Sequence, residues 1–180
     1  MQTDQLVIAR PESTEYLPYY GQYISKVPGA DILKTLKEQV DDSLALLMST
    51  AEEKGDYRYG PGKWSVREVV GHIIDTERIM GYRALRISRN DATPIEGFEQ
   101  DDYIRHGPFQ NARLRDLAQE FGCVRHSTLY LFQRLDQDAW LRRGVANKAE
   151  VSVRALAYII AGHELHHRKI LKELYFKLPD

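Results

Sequence analysis

The densest group of potential metal ligands is a histidine-rich segment near the end of the chain. The run Gly162-His163-Glu164-Leu165-His166-His167 places His163 and His167 four residues apart. In a helix, residues at this spacing share one face, so two imidazoles can reach one metal ion at about 2.0–2.1 Å. His166 is rotated by about 60° from His163. We therefore expect His163 and His167 to act as a pair, with His166 as the alternative ligand.

His72 supplies a third candidate ligand from a distant part of the chain. It lies in helical phase with Val69, Ile73 and Met80, so it is expected to face the protein interior. Alone, such a histidine could equally be a hydrogen-bonded core residue. Together with His163 and His167 it would hold one divalent ion and leave positions open for water or substrate.

Two carboxylates lie close to these histidines in the sequence. The segment from His163 to His167 matches the H-E-x-x-H pattern of zinc peptidases, in which Glu164 would activate water. The short remaining chain and the lack of an evident strand argue against a peptidase. Glu164 is either a solvated helix residue or, like Asp75 one turn after His72, a group that orients an imidazole or moves a proton.

The composition excludes several classes of function. Lys and Arg total 25 against 26 Asp and Glu, giving a net charge of −1 that provides no general attraction to nucleic acid or anionic lipid. No segment has the length and hydrophobicity of a membrane span, and the start lacks a secretion signal. We therefore expect a cytoplasmic protein that binds neither nucleic acid nor membrane. Cys123 is the only cysteine, which precludes an internal disulfide, and its apolar helical context predicts a buried thiol.

Four stretches with apolar residues at three-to-four spacing predict the elements that position these groups. They cover roughly residues 31–50, 65–89, 111–134 and 152–176. The second opens with Ser65 and Glu68, the pattern of a capping box. No period-two strand is evident, so we predict an all-α protein built as a four-helix bundle.

The segments outside these helices supply weaker candidates. Residues 91–110 form a long polar and aromatic loop that could cover one end of the bundle. Its Phe98 and Tyr103, with Trp64 at the start of the second helix, either contact substrate or pack the end of the bundle. Residues 1–28 are expected to wrap the bundle, so that residues 1–180 form a single domain.

Four further side chains carry weaker signals of a chemical role. Arg78 and Arg86 could pair with an acidic thiol carrier or remain solvated charges on a helix face. His106 and His126 are expected in a loop and on a helix surface, without a chemical role.

The combined motifs resemble the DinB-like superfamily, in particular the branch that contains bacillithiol transferases and metal-dependent hydrolases. The resemblance spans nearly the whole chain. Its markers are Tyr23-Ile24 with Val27-Pro28, the segments 62–72, 75–78, 82–86 and 97–103, and the closing segment 162–167.

This resemblance implies a fold, a cofactor and a reaction. The fold is an up-down-down-up four-helix bundle, and the family's metal-binding histidines match His72, His163 and His167. Zinc or nickel is the implied ion, and a homodimer the implied assembly. The implied reaction is thiol S-transfer, in which a thiol such as bacillithiol, mycothiol or glutathione attacks an electrophilic substrate. The alternatives are a metal-dependent hydrolase, with Glu164 or Asp75 as proton acceptor, and a non-catalytic metal-binding module of a stress response.

Overall fold

A computed structural model describes residues 8–178 of the chain. Four long helices dominate these residues, and short helices and one β-hairpin connect them. The elements in chain order are α1 (Gly21–Ile24), α2 (Ile32–Met48), α3 (Val66–Ser88), α4 (Gln100–His106), α5 (Leu114–Gln133), α6 (Gln137–Leu141), β1 (Arg143–Ala146), β2 (Ala149–Ser152) and α7 (Val153–Ile170). A π-helical segment, Leu171–Phe176, continues α7.

Side-chain caps set the starts of the two helices that carry the candidate ligands. At α3, Ser65 Oγ accepts a hydrogen bond from the Glu68 backbone N–H, and the Glu68 carboxylate accepts one from the Ser65 N–H at 2.7 Å. This is the predicted capping box. At α7, Ser152 Oγ accepts from the Ala155 N–H at 3.0 Å. Both helices therefore begin within one residue of the positions that the sequence predicts.

The four long helices form the predicted up-down-down-up bundle. Helix α2 packs against α5 and α7, and helix α3 packs against the same two helices. Helices α2 and α3 therefore lie diagonally opposite each other, as do α5 and α7, whereas α3 and α5 are neighbours. The prediction of a helical-bundle fold is confirmed.

The prediction that the chain contains no strand is wrong. Strands β1 and β2 pair antiparallel, with Arg143 opposite Ser152 and Ala146 opposite Ala149. The turn residues Asn147 and Lys148 both have positive φ, at 51° and 63°, as a two-residue hairpin turn requires. Strands of four residues are too short to show a clear period, and the turn lacks glycine. The sequence therefore carried little signal for this hairpin.

The long connection between α3 and α5 is more ordered than the predicted loop. It contains helix α4, and Ile95 bonds on both sides to the hairpin, to the carbonyl of Val145 and the N–H of Asn147, at 2.9 Å each. Farther along, buried Phe109 packs against Gly71 of α3. The connection is therefore anchored at two points, beside the hairpin and beside α3.

The described part of the N-terminal segment lies against α7. Tyr158 of α7 donates a hydrogen bond to the carbonyl of Ile8 at 3.3 Å, and Ser152 and Arg154 both donate to the buried carboxylate of Glu15. Ile8 and Glu15 are therefore tied to β2 and α7. The first seven residues of the predicted wrapping segment lie outside the described residues.

A buried polar network links the four long helices at the bundle centre. Arg125 of α5 pairs with Glu77 of α3 at 2.7 Å and donates to Gln39 of α2 at the same distance. Gln39 in turn donates to the carbonyl of Ala161 in α7 at 2.8 Å. Because both charges are paired and hydrogen-bonded, their burial is tolerated.

Cys123 is exposed, so the prediction of a buried thiol is wrong. The buried face of α5 runs through Phe121, Gly122 and Arg125, and Cys123 falls off that face at 100° per residue. None of the helices in residues 8–178 is long and apolar enough to cross a membrane.

Candidate metal centre

Helices α3 and α7 bring three histidines together in the bundle. His72 comes from α3, and His163 and His167 come from successive turns of α7. One ligand nitrogen from each lies within 4.8 Å of the other two. The Nε2 atoms of His72 and His163 are 3.0 Å apart. The predicted pair and the predicted third histidine therefore meet at one point.

Burial keeps these imidazoles neutral. His72 and His163 are buried, and His167 is mostly buried. Desolvation is the main cause that lowers the pKa of His72 to about 4 and that of His167 to about 2, and neighbouring histidines lower both further. The same causes hold the pKa of His163 well below its usual range. Neutral imidazole is the form that binds metal ions.

The donor set fits one divalent transition-metal ion. Tetrahedral zinc with bonds of about 2.0–2.1 Å needs ligand nitrogens roughly 3.3 Å apart. The Nε2 atoms of His72 and His163 are 3.0 Å apart, slightly less than that value. The ligand atoms of all three histidines lie within 4.8 Å of one another, an upper limit that exceeds it. Within residues 8–178, these three residues form the only group of three or more His, Cys, Asp or Glu side chains whose ligand atoms are close enough to share an ion. Three imidazoles suit zinc, nickel, copper or cobalt.

Aromatic rings support the cluster from two sides. The Trp64 ring lies 4.8 Å from the His72 ring. The Tyr23 ring lies 5.3 Å from the rings of both His163 and His166. His166, the alternative ligand, thus contacts Tyr23 and lies outside the three-histidine group.

A pocket of about 390 Å³ opens onto His72 and His163. Its wall combines residues from the N-terminal segment, helices α3 and α7, the connection after α3 and the hairpin turn. The other lining residues are Leu17, Tyr19, Tyr20, Tyr23, Thr76, Met80, Arg83, Phe98, Glu99, Gln100, Asn147 and Ile159. A bound molecule could therefore contact the histidines directly.

The three aromatic candidates for substrate contact occupy different places. Phe98 lines the pocket. Tyr103 packs its ring 5.2 Å from that of Phe98 and is 46% exposed, behind the pocket wall. Trp64 supports His72 and does not line the pocket. The structure thus places Phe98 in the pocket wall and the other two outside it.

The two candidate carboxylates form contacts away from the histidines. Glu164 is buried, so it is not a solvated helix residue. It accepts a hydrogen bond from Ser43 and lies 3.3 Å from Arg168, while burial raises its pKa. Asp75 is half-buried and pairs with Arg78 at 3.6 Å, and burial raises its pKa as well. Within residues 8–178, neither carboxylate bonds to a cluster histidine.

Most of the residues that line the pocket were not predicted as site residues from the sequence. Thr76, Met80 and Arg83 follow His72 on one face of α3 and line the pocket with it, a pattern visible as spacings of four, four and three. Tyr23 appeared in the sequence only as a marker of the family resemblance. Arg78 and Arg86, the two arginines that could have paired with an acidic thiol carrier, instead pair with side-chain carboxylates of the protein.

The fold and the histidine cluster together define a helical-bundle protein with a candidate three-histidine metal centre. The DinB superfamily model matches residues 29–171. The chain therefore belongs to the DinB superfamily, as the resemblance of its motifs indicated. Among curated proteins, none matches the chain.

Two solved structures share the fold. The first is YfiT from Bacillus subtilis, described as a probable metal-dependent hydrolase with an unusual four-helix bundle topology. It has a TM-score of 0.70 and 15% identity over 93% of this chain and 91% of its own. The second is a mycothiol-dependent maleylpyruvate isomerase, with a TM-score of 0.65 and 11% identity over 81% of this chain and 61% of its own. The present chain thus spans less than two thirds of the isomerase.

Proposed function

We propose that this protein is a metal-dependent thiol S-transferase. The observation that carries the proposal is the group of three neutral imidazoles, two of which, His72 and His163, line a ligand-sized pocket. His72, His163 and His167 would hold one divalent ion, zinc or nickel. When bound, that ion would lower the pKa of a low-molecular-weight thiol at its open position and so favour the nucleophilic thiolate.

The surrounding side chains would orient the thiol and its electrophilic partner. Tyr23, Met80 and Ile159 form apolar walls that exclude water from the reacting groups. The hydroxyl of Thr76, one turn beyond His72, is buried without a hydrogen-bond partner. It is thus available to a molecule in the pocket. A buried hydroxyl that gains a partner on ligand binding contributes about 1 kcal/mol.

The position of the cysteine is consistent with a thiol supplied by a small molecule. Cys123 lies exposed on α5 and does not line the pocket. The protein therefore offers no thiol of its own at the site. The mycothiol-dependent isomerase supports the idea that this fold can work with a thiol cofactor, although its similarity is one of fold.

Hydrolysis is the second candidate function. Asp75 favours it, because a half-buried carboxylate with a raised pKa, one turn from His72, could accept a proton from water. The description of YfiT as a probable metal-dependent hydrolase is consistent with this candidate. A metal-binding module without catalysis is the third outcome that experiments must separate.

Metal content is the first test. Untagged protein, analysed by inductively coupled plasma mass spectrometry, should contain about one divalent ion per chain. His163→Ala should lose it, because two imidazoles remain. His106→Ala, which alters an exposed histidine outside the three-histidine group, is the matched control and should retain the ion. Wild-type protein without a stoichiometric ion would contradict the proposal.

Activity assays then separate the candidate reactions. Bacillithiol, mycothiol and glutathione should each be tested with a chromogenic electrophile, beside a panel of esters and amides. Conjugation that requires both the metal and His163 supports the transferase. Metal-dependent hydrolysis without conjugation selects the hydrolase, and stoichiometric metal with neither activity selects the binding module. The proposed homodimer rests on the family resemblance, and sedimentation velocity would test it.

A further inference from the structure

Arg83 occupies an unusual place in the pocket beside the histidines. It lies on the same face of α3 as His72, Thr76 and Met80, and its side chain lines the pocket. The residue is only 3% exposed. A permanently charged group is therefore held inside the cavity that the candidate metal centre shares.

The guanidinium of Arg83 has no counter-ion among the described residues. It donates to the carbonyl of Glu96 at 3.0 Å and contacts the sulfur of Met80 at 3.6 Å. Its Nε is buried without a partner. The other two buried arginines are paired, Arg67 with Glu52 and Arg125 with Glu77. Within residues 8–178, Arg83 is thus the one buried arginine that lacks a carboxylate.

An unpaired buried guanidinium is costly for the fold. Arginine does not deprotonate in proteins, so it cannot avoid the cost by losing its charge. Replacing buried charged groups by well-packed apolar side chains of similar volume is often neutral or stabilising. Its retention in a pocket therefore indicates a ligand that supplies the missing negative charge. Nε and the terminal nitrogens of arginine match the two oxygens of a carboxylate.

We propose that Arg83 binds a carboxylate of the molecule whose thiol lies at the histidine cluster. The position of the thiol in this inference rests on the proposed function, whereas the position of the carboxylate rests on Arg83 alone. Eleven residues separate His72 from Arg83, which is about 16 Å along the axis of α3. Both side chains lean toward the helix N-terminus, and Met80 and Ile159 line the wall between them. The pocket thus fits an elongated acidic thiol with an uncharged middle.

The test compares two probes that differ only at the far end, 8-mercaptooctanoic acid and 8-mercaptooctanamide. Cobalt-loaded protein reports thiol binding through the near-ultraviolet absorption of a cobalt-thiolate bond. Calorimetry gives the affinity of each probe, with and without metal. The acid should bind roughly 10- to 100-fold more tightly than the amide, the range for a charge-assisted hydrogen-bonded pair.

Arg83→Met should abolish this preference, and Arg83→Lys should retain a weakened one. The matched control is Arg86→Met, which removes an arginine of the same helix that pairs with Asp91 outside the pocket. It should leave the preference intact. The melting temperature of Arg83→Met should equal or exceed that of the wild type, because an unpaired buried charge is removed.

The possible results separate the two ideas. Equal affinity for acid and amide, or a preference that survives in Arg83→Met, overturns the carboxylate site even if the cobalt-thiolate band forms. An Arg83-dependent preference without the cobalt band supports the carboxylate site and contradicts the proposed thiol chemistry. If neither probe binds, both ideas fail.

Discussion

The three clustered histidines share one physical environment, and it explains their suitability as ligands. Each has little contact with water, so protonation would bury a charge. Each also lies beside other imidazoles, which adds repulsion between any two protonated rings. No carboxylate of residues 8–178 joins the cluster to offset these effects. The result is a set of neutral nitrogen donors whose spacing is about that of the ligands of a tetrahedral metal ion.

The identity of the third ligand can be tested with alanine variants. His72→Ala should reduce metal affinity by more than the roughly 10- to 100-fold that loss of a supporting contact costs. His166→Ala should cost no more than that range, because its ring packs on Tyr23 outside the three-histidine group. Competition with a fluorescent chelator measures both values. An equal loss in the two variants would show that His166 is a ligand.

At the scale of elements, a glycine in helix α7 allows the N-terminal segment to approach that helix closely. Gly162 lies against the backbone of Tyr23, and a Cβ at Gly162 would overlap the Tyr23 carbonyl. The glycine therefore permits α1 to pack on α7, which in turn sets the Tyr23 ring against His163. A small residue thus determines the wall next to the candidate ligand.

Gly162→Ala should destabilise the protein by about 1–3 kcal/mol through this overlap, although alanine favours helix by about 1 kcal/mol over glycine. Gly122→Ala in α5 is the matched control. There a Cβ would meet Leu44 at an ordinary 3.5 Å, so the helix preference should dominate and stability should rise. Urea unfolding measures both changes. Equal stabilisation by the two substitutions would show that α1 can shift away from α7 at little energetic cost and contradict the predicted overlap.

At the scale of the whole molecule, Glu15 joins the N-terminal segment to the hairpin and to α7. Burial alone would raise its pKa, but hydrogen bonds from Arg154 and Ser152 outweigh burial and lower the pKa from 4.5 to about 2. Since the folded-state pKa is the lower one, the carboxylate stabilises the fold above about pH 4.5. That contribution is lost as the pH falls toward 2.

Glu15→Gln should therefore lower the free energy of unfolding at pH 7 by about 2–3 kcal/mol. It should also flatten the dependence of stability on pH between 4.5 and 2, the range set by the shift of Glu15. Thermal unfolding across this range gives both quantities. Glu53→Gln, at an exposed position, should follow the wild-type curve. A Glu15→Gln curve parallel to the wild type would contradict the assignment.

Much of the fold and half of the site could be predicted because they depend on local periodicity. The four long helices follow from apolar spacing and caps, and the pairing of His163 with His167 follows from helix geometry alone. His72 could be placed inward by its phase. Its meeting with the α7 pair required the bundle arrangement, which the resemblance supplied.

Only the tertiary structure decided the rest, because it depends on which helix faces which. Glu164 is adjacent to His163 in sequence, yet its carboxylate lies toward Ser43 of α2 and away from the cluster. The hairpin was too short to have a period, and it completes the pocket wall with Asn147. Arg83 is enclosed only by the connection after α3, to which it donates a hydrogen bond at the Glu96 carbonyl. Helix phase is local, whereas the enclosure of a charge or a ligand is a property of the assembled bundle.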